Sequence, residues 1–163
     1  SRVGKAKIDN TQVDLNEVIR DTISDFQPEL KTRKIEWTIA ELPPVYGDIT
    51  MIRHVFNNLI SNALKFTRHK ATAMIEIGSE PDTENNGQVV IYIKDNGAGF
   101  DMQYIEKLFG VFQRLHSQKE YEGTGIGLAN VKRMTQRHGG RVWAEGALDE
   151  GAVFYFTLPK YQE

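Results

Sequence analysis

Apolar residues along the chain recur at two periods, and the switches between them mark out its elements. Leu15, Val18, Ile19, Ile23 and Phe26 follow at near-helical spacing behind Asp14, with Glu17 at the capping-box position. The pattern predicts a helix that Pro28 ends or kinks. Ile35, Trp37 and Ile39 then alternate with polar residues, as in a half-buried strand, until Pro43-Pro44 and Gly47 break the run. Asp48 can cap a second helix along which Ile52, Val55, Phe56, Leu59, Ile60 and Ala63 form a broad apolar stripe. The cations Arg68, His69 and Lys70 suit its C-terminal end.

Period two returns in Ala73, Ile75 and Ile77 and again in Val89, Ile91 and Ile93, predicting strands over 72–77 and 88–94. The polar stretch SEPDTENNGQ between them reads as a loop long enough to leave the hairpin tip mobile. Glycine clusters follow at 97–99 and 123–127, then a helix over about 128–137 stopped by Gly139-Gly140. Strands over about 141–145 and 152–158, around the turn GALDEG, close the pattern. Residues 1–11 are polar and basic and read as a linker, as the frayed end of a helix from a preceding domain, or as an overhang with no role of its own. The expected domain is 12–160, with 161–163 as a tail. The order of elements predicts an α+β fold: a two-layer sandwich of a mixed or antiparallel sheet with helices on one face. Strand pairs joined as hairpins argue against a doubly wound parallel sheet.

Composition narrows the class. At 163 residues, 40% hydrophobic and 26% charged, the chain is the size of one domain and suits neither disorder nor a membrane protein. No window of 18 apolar residues and no apolar leader is present, so no direct membrane insertion of this segment is expected. A net charge of -2 is too acidic for broad contact with nucleic acid. With no cysteine there is no disulfide framework, no Cys-ligated metal and no thiol catalysis, which fits a cytoplasmic setting.

Four segments hold candidate chemistry. Asn58, Asn62 and Lys65 stand at i, i+4 and i+7 of the second helix, within about 60° of one another and beside the apolar stripe. A carboxamide oxygen there is a suitable hard ligand for Mg²⁺, and Lys65 a point charge for phosphate. The alternative is an ordinary solvated helix face. Asp95, at the exit of a strand, heads the run Asp95-Asn96-Gly97-Ala98-Gly99-Phe100. A buried carboxylate accepts only, so it selects a ligand donor such as the adenine amine and rejects the guanine carbonyl. Glycines beside it let backbone approach a flat ring; a plain Asn-Gly turn is the other reading. Gly123-Thr124-Gly125-Ile126-Gly127-Leu128 leads into a helix, an arrangement that cradles phosphate or simply hinges. It matches neither a Walker A loop nor the dinucleotide fingerprint. Between the glycine clusters, Phe109, Phe112 and Arg114 lie on a segment that reads as a lid or as a surface helix, with Lys107 and Lys119 nearby. His116 reads as a surface residue.

Together, Asn58-x-x-x-Asn62-Ala63-x-Lys65-Phe66-Thr67, the Asp95–Phe100 run, Phe109-x-x-Phe112 and the Gly123–Leu128 run resemble the N, G1, F and G2 boxes of sensor histidine kinases. The resemblance spans about residues 12–159 and is strongest to the modules attached to phytochrome-like sensors, through Gln113-Arg114-Leu115-His116 and Tyr121-Glu122-Gly123. It implies the Bergerat ATP-binding fold shared with gyrase B and mismatch-repair ATPases. It also implies ATP and Mg²⁺, with Asn62 as metal ligand and Asn58 holding phosphate or the metal shell. Lys65 would contact phosphate, Phe66 would lie against adenine and Asp95 would bind the adenine amine. Gly97 and Gly99 would shape that pocket, Arg114 would approach the γ-phosphate, and Gly123, Thr124, Gly125, Ile126, Gly127 and Leu128 would cradle the phosphates.

Two departures stand out. Gly110-Val111 occupy a place where the family often has Glu-Pro, and Gly151-Ala152 lacks the usual Thr after Gly. The resemblance further implies transfer of a phosphoryl group to a histidine followed by an acid, on a dimerisation domain of the same or a partner chain, with a response regulator acting indirectly. None of the four histidines, His54, His69, His116 and His138, has an acidic neighbour in sequence. The alternatives are a gyrase-type hydrolytic ATPase, which places a Glu where Asn58 stands, and a nucleotide-binding pseudo-kinase.

Overall fold

The computed structural model describes residues 7–109 and 127–162. Its strands are β1 (Thr11–Val13), β2 (Ile35–Ile39), β3 (Val45–Gly47), β4 (Ala73–Pro81), β5 (Gln88–Asp95), β6 (Val142–Ala147) and β7 (Gly151–Pro159). Its α-helices are α1 (Leu15–Leu30), α2 (Ile49–Phe66) and α3 (Gly127–Arg137), and a 3-10 turn covers Met102–Lys107. β1 and β3 pair alone, while the other five strands form one sheet in the order β2-β4-β5-β7-β6. β2 runs parallel to β4 and every other pair in that sheet is antiparallel, so the sheet is mixed.

Alternation along the strands decides which face is buried. Ile75, Ile77, Ile91, Ile93, Phe154, Phe156 and Leu158 share the covered face and one core with α1, α2 and α3. Phe56 of α2 meets Phe156 edge-on, with ring centroids 5.4 Å apart. On the opposite face Trp143 stacks on its cross-strand partner Tyr155 at 5.0 Å, and the Arg141 guanidinium lies 4.7 Å over the indole. Ile35 and Trp37 are partly buried against the core while Ile39 is exposed, as suits an edge strand.

Four local expectations change. α1 runs through Pro28 to Leu30. Ser24 and Pro28 are exposed, so water can reach the carbonyl that loses its helical donor, and burial of Leu30 anchors the final residues. β1 and β3, three residues each, are too short to show a period; burial of Val13 and Val45 fixes them. The β4–β5 hairpin is longer than its alternation suggested, and its tip is tied down. Asp82 is buried and accepts from both Arg141 terminal nitrogens, at 2.8 and 3.0 Å. That guanidinium holds the Asp82 carboxyl below the usual carboxylate range.

Asp48 joins the helical layer to the chain before it. Its Oδ1 accepts from the amides of Thr50 and Met51 at 3.0 and 3.1 Å, capping α2, and its Oδ2 accepts from the Asp9 amide at 2.9 Å. Burial would raise its pKa, but those amides outweigh burial and hold it below the ordinary value. The Asp48 amide donates to His138 Nε2 at 3.0 Å, while His138 Nδ1 lies 2.7 Å from the Met134 carbonyl oxygen. A carbonyl only accepts, so Nδ1 carries the ring proton. His138 is thus a structural bridge between the end of α3 and the start of α2. Asp48→Ala removes the cap and leaves the Asp9 amide without its acceptor. It should destabilise the domain by about 1–2 kcal/mol, read as a lower denaturant midpoint at unchanged m-value; an unchanged midpoint would refute the capping role.

Candidate functional site

Among the described residues, the predicted ones on the helices lie in the C-terminal half of α2 and at the start of α3. Asn58 is half-buried, and its Nδ2 donates to the His54 carbonyl at 2.9 Å, leaving the carboxamide oxygen free to point away from its own helix. A Cβ at Gly127 would stand 3.1 Å from that oxygen, so Asn58 faces the first turn of α3. Asn62 follows one turn later, also half-buried, and among the described residues nothing hydrogen-bonds its carboxamide. Lys65 and Phe66 occupy the last turn, both half-buried. Leu128 packs partly against the core from the first turn of α3.

Asp95 closes β5 on the covered face, opposite Ala152 of β7 and Ile75 of β4. It is only 6% exposed, and one carboxylate oxygen accepts from the Gly97 amide at 2.8 Å. Burial pushes its pKa up to about 6, against the opposing pull of the Gly97 and Ala152 amides. An acceptor this desolvated, with two amides already on it, is a strong and selective partner for one further donor.

The chain after Asp95 is pressed against the end of α2. The Ala98 amide donates to the Phe66 carbonyl oxygen at 2.9 Å, and a Cβ on Gly97 would fall inside that same carbonyl. No other residue type fits there. Gly99 takes a φ of +65°, and a Cβ on it would strike the Ala147 carbonyl in the β6–β7 turn. That turn holds the segment from the other side, through Asp149 N donating to Ala98 O at 2.7 Å. Phe100 is buried with its ring 6.4 Å from that of Phe154, which Phe109 meets edge-on at 6.3 Å. Phe109 is therefore a core anchor on the segment read as a lid or as a surface helix. Arg114, Gly123, Thr124, Gly125 and Ile126, with Phe112 and Lys119, lie outside the described residues.

Three residues that shape the site had no role in the sequence reading. Asn96 Oδ1 accepts from the Met74 amide at 2.9 Å and its Nδ2 donates to Thr72 O at 3.2 Å, stitching the loop to the start of β4. Thr67, fully buried, donates its hydroxyl to the Ala63 carbonyl at 2.7 Å and caps α2. Arg33 reaches that cap from the turn after α1. Asn before Gly and a polar residue just past a helix are local signals for the first two; Arg33 has none, since its partners lie over 30 residues away. Among the described residues no group of three or more His, Cys, Asp or Glu is placed to hold a metal ion.

A family model described as "Histidine kinase-, DNA gyrase B-, and HSP90-like ATPase" matches residues 47–162. The chain is 38% identical over 162 residues to cyanobacterial phytochrome B of Nostoc sp. (strain PCC 7120), covering 97% of this chain and 21% of that protein. The chain thus spans about a fifth of the length of this curated relative. Its structure is similar to the nucleotide-free catalytic domain of histidine kinase ThkA, with a TM-score of 0.76 and 29% identity over 93% of this chain and 98% of that one. ThkA in complex with the response regulator protein TrrA gives a TM-score of 0.73 and 26% identity, covering 94% of this chain and 42% of that one.

The raised pKa of Asp95 has a stability consequence. The native state holds a proton up to about pH 6, whereas the unfolded carboxyl releases it near the ordinary carboxylate value of 3.8. Between those values the native state binds more protons, so stability falls as pH rises from about 4 to 6. Denaturant unfolding against pH should show the wild type losing stability over that range relative to Asp95→Asn, with no further divergence above it. Parallel curves would refute the burial cost.

Proposed function

The chain belongs to the histidine kinase-, DNA gyrase B- and HSP90-like ATPase family, and on that premise we propose that it is the ATP-binding catalytic domain of a sensor histidine kinase. In this reading it transfers the γ-phosphoryl group of ATP to a histidine on a dimerisation domain. The observation that carries the reading is the docking of the Asp95 loop on α2: the Ala98–Phe66 bond sets a buried acceptor beside the turn that bears Asn62 and Lys65.

Each residue then has a task. Asp95 accepts the exocyclic amine of adenine, and the same desolvated oxygen excludes guanine, whose carbonyl would leave both acceptors unpaired. Gly97 admits backbone close to the ring, and Phe66 lies against it. Gly127 and Leu128 place the start of α3, where unpaired amides and the helix dipole favour phosphate. Arg114 and the Gly123–Ile126 stretch take their phosphate roles from the family resemblance. Asn62 fits Mg²⁺ in type, as a hard, half-buried oxygen donor with no protein partner among the described residues, on a cleft edge where water and phosphate can complete the shell. Bound there, Mg²⁺ supplies charge neutralisation on the phosphate oxygens. Asn58 and Lys65 orient and neutralise the same group.

Hydrolysis would need a base beside that group. Asn58 stands at the corresponding place, and an amide cannot take a proton from water. None of the four histidines precedes an acid, and His138 is spent on the Asp48 bridge, which favours an acceptor on a separate domain. The partners are that dimerisation domain and, through it, a response regulator, as the ThkA–TrrA complex illustrates for ThkA. No helix among the described residues is long and apolar enough to cross a membrane; the need for ATP in this reading supports a cytoplasmic setting.

Incubation with labelled ATP and a supplied dimerisation domain should phosphorylate that domain's histidine; ATP binding without any transfer would overturn the kinase reading. Asn62→Ala should abolish transfer with the circular dichroism spectrum unchanged, and wild-type transfer would refute the metal role. Asp95→Asn should weaken ATP binding about 10- to 100-fold by calorimetry, the scale of about 1–3 kcal/mol for a mispaired buried group. Unchanged affinity would remove Asp95 from the adenine site.

A further inference from the structure

Arg33 lies before residue 47, where the family match begins, in the turn between α1 and β2. It nevertheless reaches the far end of α2. Nη1 donates to the Leu64 carbonyl at 2.8 Å and Nη2 to the Thr67 hydroxyl at 2.9 Å. Thr67 Oγ1 in turn donates a hydrogen bond to the Ala63 carbonyl at 2.7 Å. Arg33 is half-buried, and burial, with the nearby Arg68 charge adding to it, lowers its pKa from the ordinary value.

This contact sits two bonds from the base-recognising group. The turn that Arg33 grips ends at Phe66, whose carbonyl takes the Ala98 amide at 2.9 Å. The residue before Ala98 is Gly97, whose amide holds Asp95 at 2.8 Å. A shift in the last turn of α2 therefore moves the loop that orients the Asp95 carboxylate. A planar fork can satisfy a carbonyl and a hydroxyl at once, and its charge suits the negative end of the helix dipole. Lysine has three donors on one compact centre but a shorter reach and no planar fork, so it reproduces this pair of contacts less well.

We propose that Arg33 is a positioning residue for base recognition, holding the end of α2 so that Phe66, Gly97 and Asp95 stay in register for adenine. The inference rests on the nucleotide reading above and extends it to a residue outside the matched family region. It differs from a purely structural role in what it predicts for specificity. A residue that only stabilised the fold would lower the melting temperature and leave the ratio of ATP to GTP affinity unchanged in the folded protein. A residue that registers Asp95 changes that ratio.

The test measures ATP and GTP binding by calorimetry, well below the melting temperature, for the chain and for Arg33→Gln and Arg33→Lys. The expected result is that Arg33→Gln binds ATP about tenfold more weakly, the scale of one disturbed hydrogen bond to a charged group, with GTP binding little changed. The ATP-to-GTP ratio should then fall by the same factor, and Arg33→Lys should lie between. An Arg33→Gln variant that is folded and keeps the wild-type ratio overturns the proposal. So does loss of folding in both variants, which would assign Arg33 to stability alone. A wild-type chain with no preference for ATP over GTP would instead overturn the adenine reading, and the proposal with it.

Discussion

A helix cannot end in a protein interior with its last carbonyls unpaired, and the C-terminal turn of α2 is where this chain meets that constraint. Four carbonyls need partners there, and all four find them. Ala63 takes the Thr67 hydroxyl, Leu64 the Arg33 guanidinium, Lys65 the amides of Thr67 and Arg68, and Phe66 the amide of Ala98. Only the Thr67 and Arg68 bonds are local. The other two draw in a turn from before β2 and a loop from after β5. One helix end thereby brings together three stretches of chain, and the candidate site lies where they meet.

The second consequence is electrostatic. Docking the Gly97–Ala98 loop on α2 buries Asp95, and burial lifts its pKa to about 6. A carboxylate in that position is a cost to the folded domain near neutral pH, only partly offset by the Gly97 and Ala152 amides. Such a group contributes nothing to holding the fold together that an amide could not. On the proposed reading it would give a ligand amine an acceptor from which water is largely excluded, and selectivity between purines would arise there. The glycines around it follow from the same crowding, since the Phe66 and Ala147 carbonyls occupy the space that side chains at 97 and 99 would need.

How much could be read in the sequence depends on how local each cause is. The α2 helix was legible throughout, because Asp48 caps it and its stripe from Ile52 to Ala63 is buried as the period requires. The long strands were legible from alternation, and with them the α+β class and the single covered face. β1 and β3 were not, since three residues hold no period, and α1 overran Pro28 because packing of Leu30 outweighed the local signal. The hairpin tip looked free in sequence because its anchor, Arg141, is 59 residues from Asp82. Within the site, Asn58, Asn62, Asp95 and the glycines were identifiable by residue type and spacing. Their support by Arg33, Thr67 and Asn96 was hidden, because a long-range hydrogen bond leaves no periodic trace.

The sequence by itself determined which faces are apolar, where the helices begin, and which residue types stand ready to accept, donate or make room for a ligand. Those properties follow from periodicity, capping preferences and side-chain chemistry over a few neighbouring residues. The tertiary structure decided how deeply Asp95 is buried, which carbonyl Ala98 meets, that β2 joins the sheet parallel to β4, and that His138 bridges two helices instead of standing on the surface. Each of these is a pairing between segments far apart in the chain. Its energy comes from desolvating and satisfying polar groups together, which no stretch of sequence can do alone.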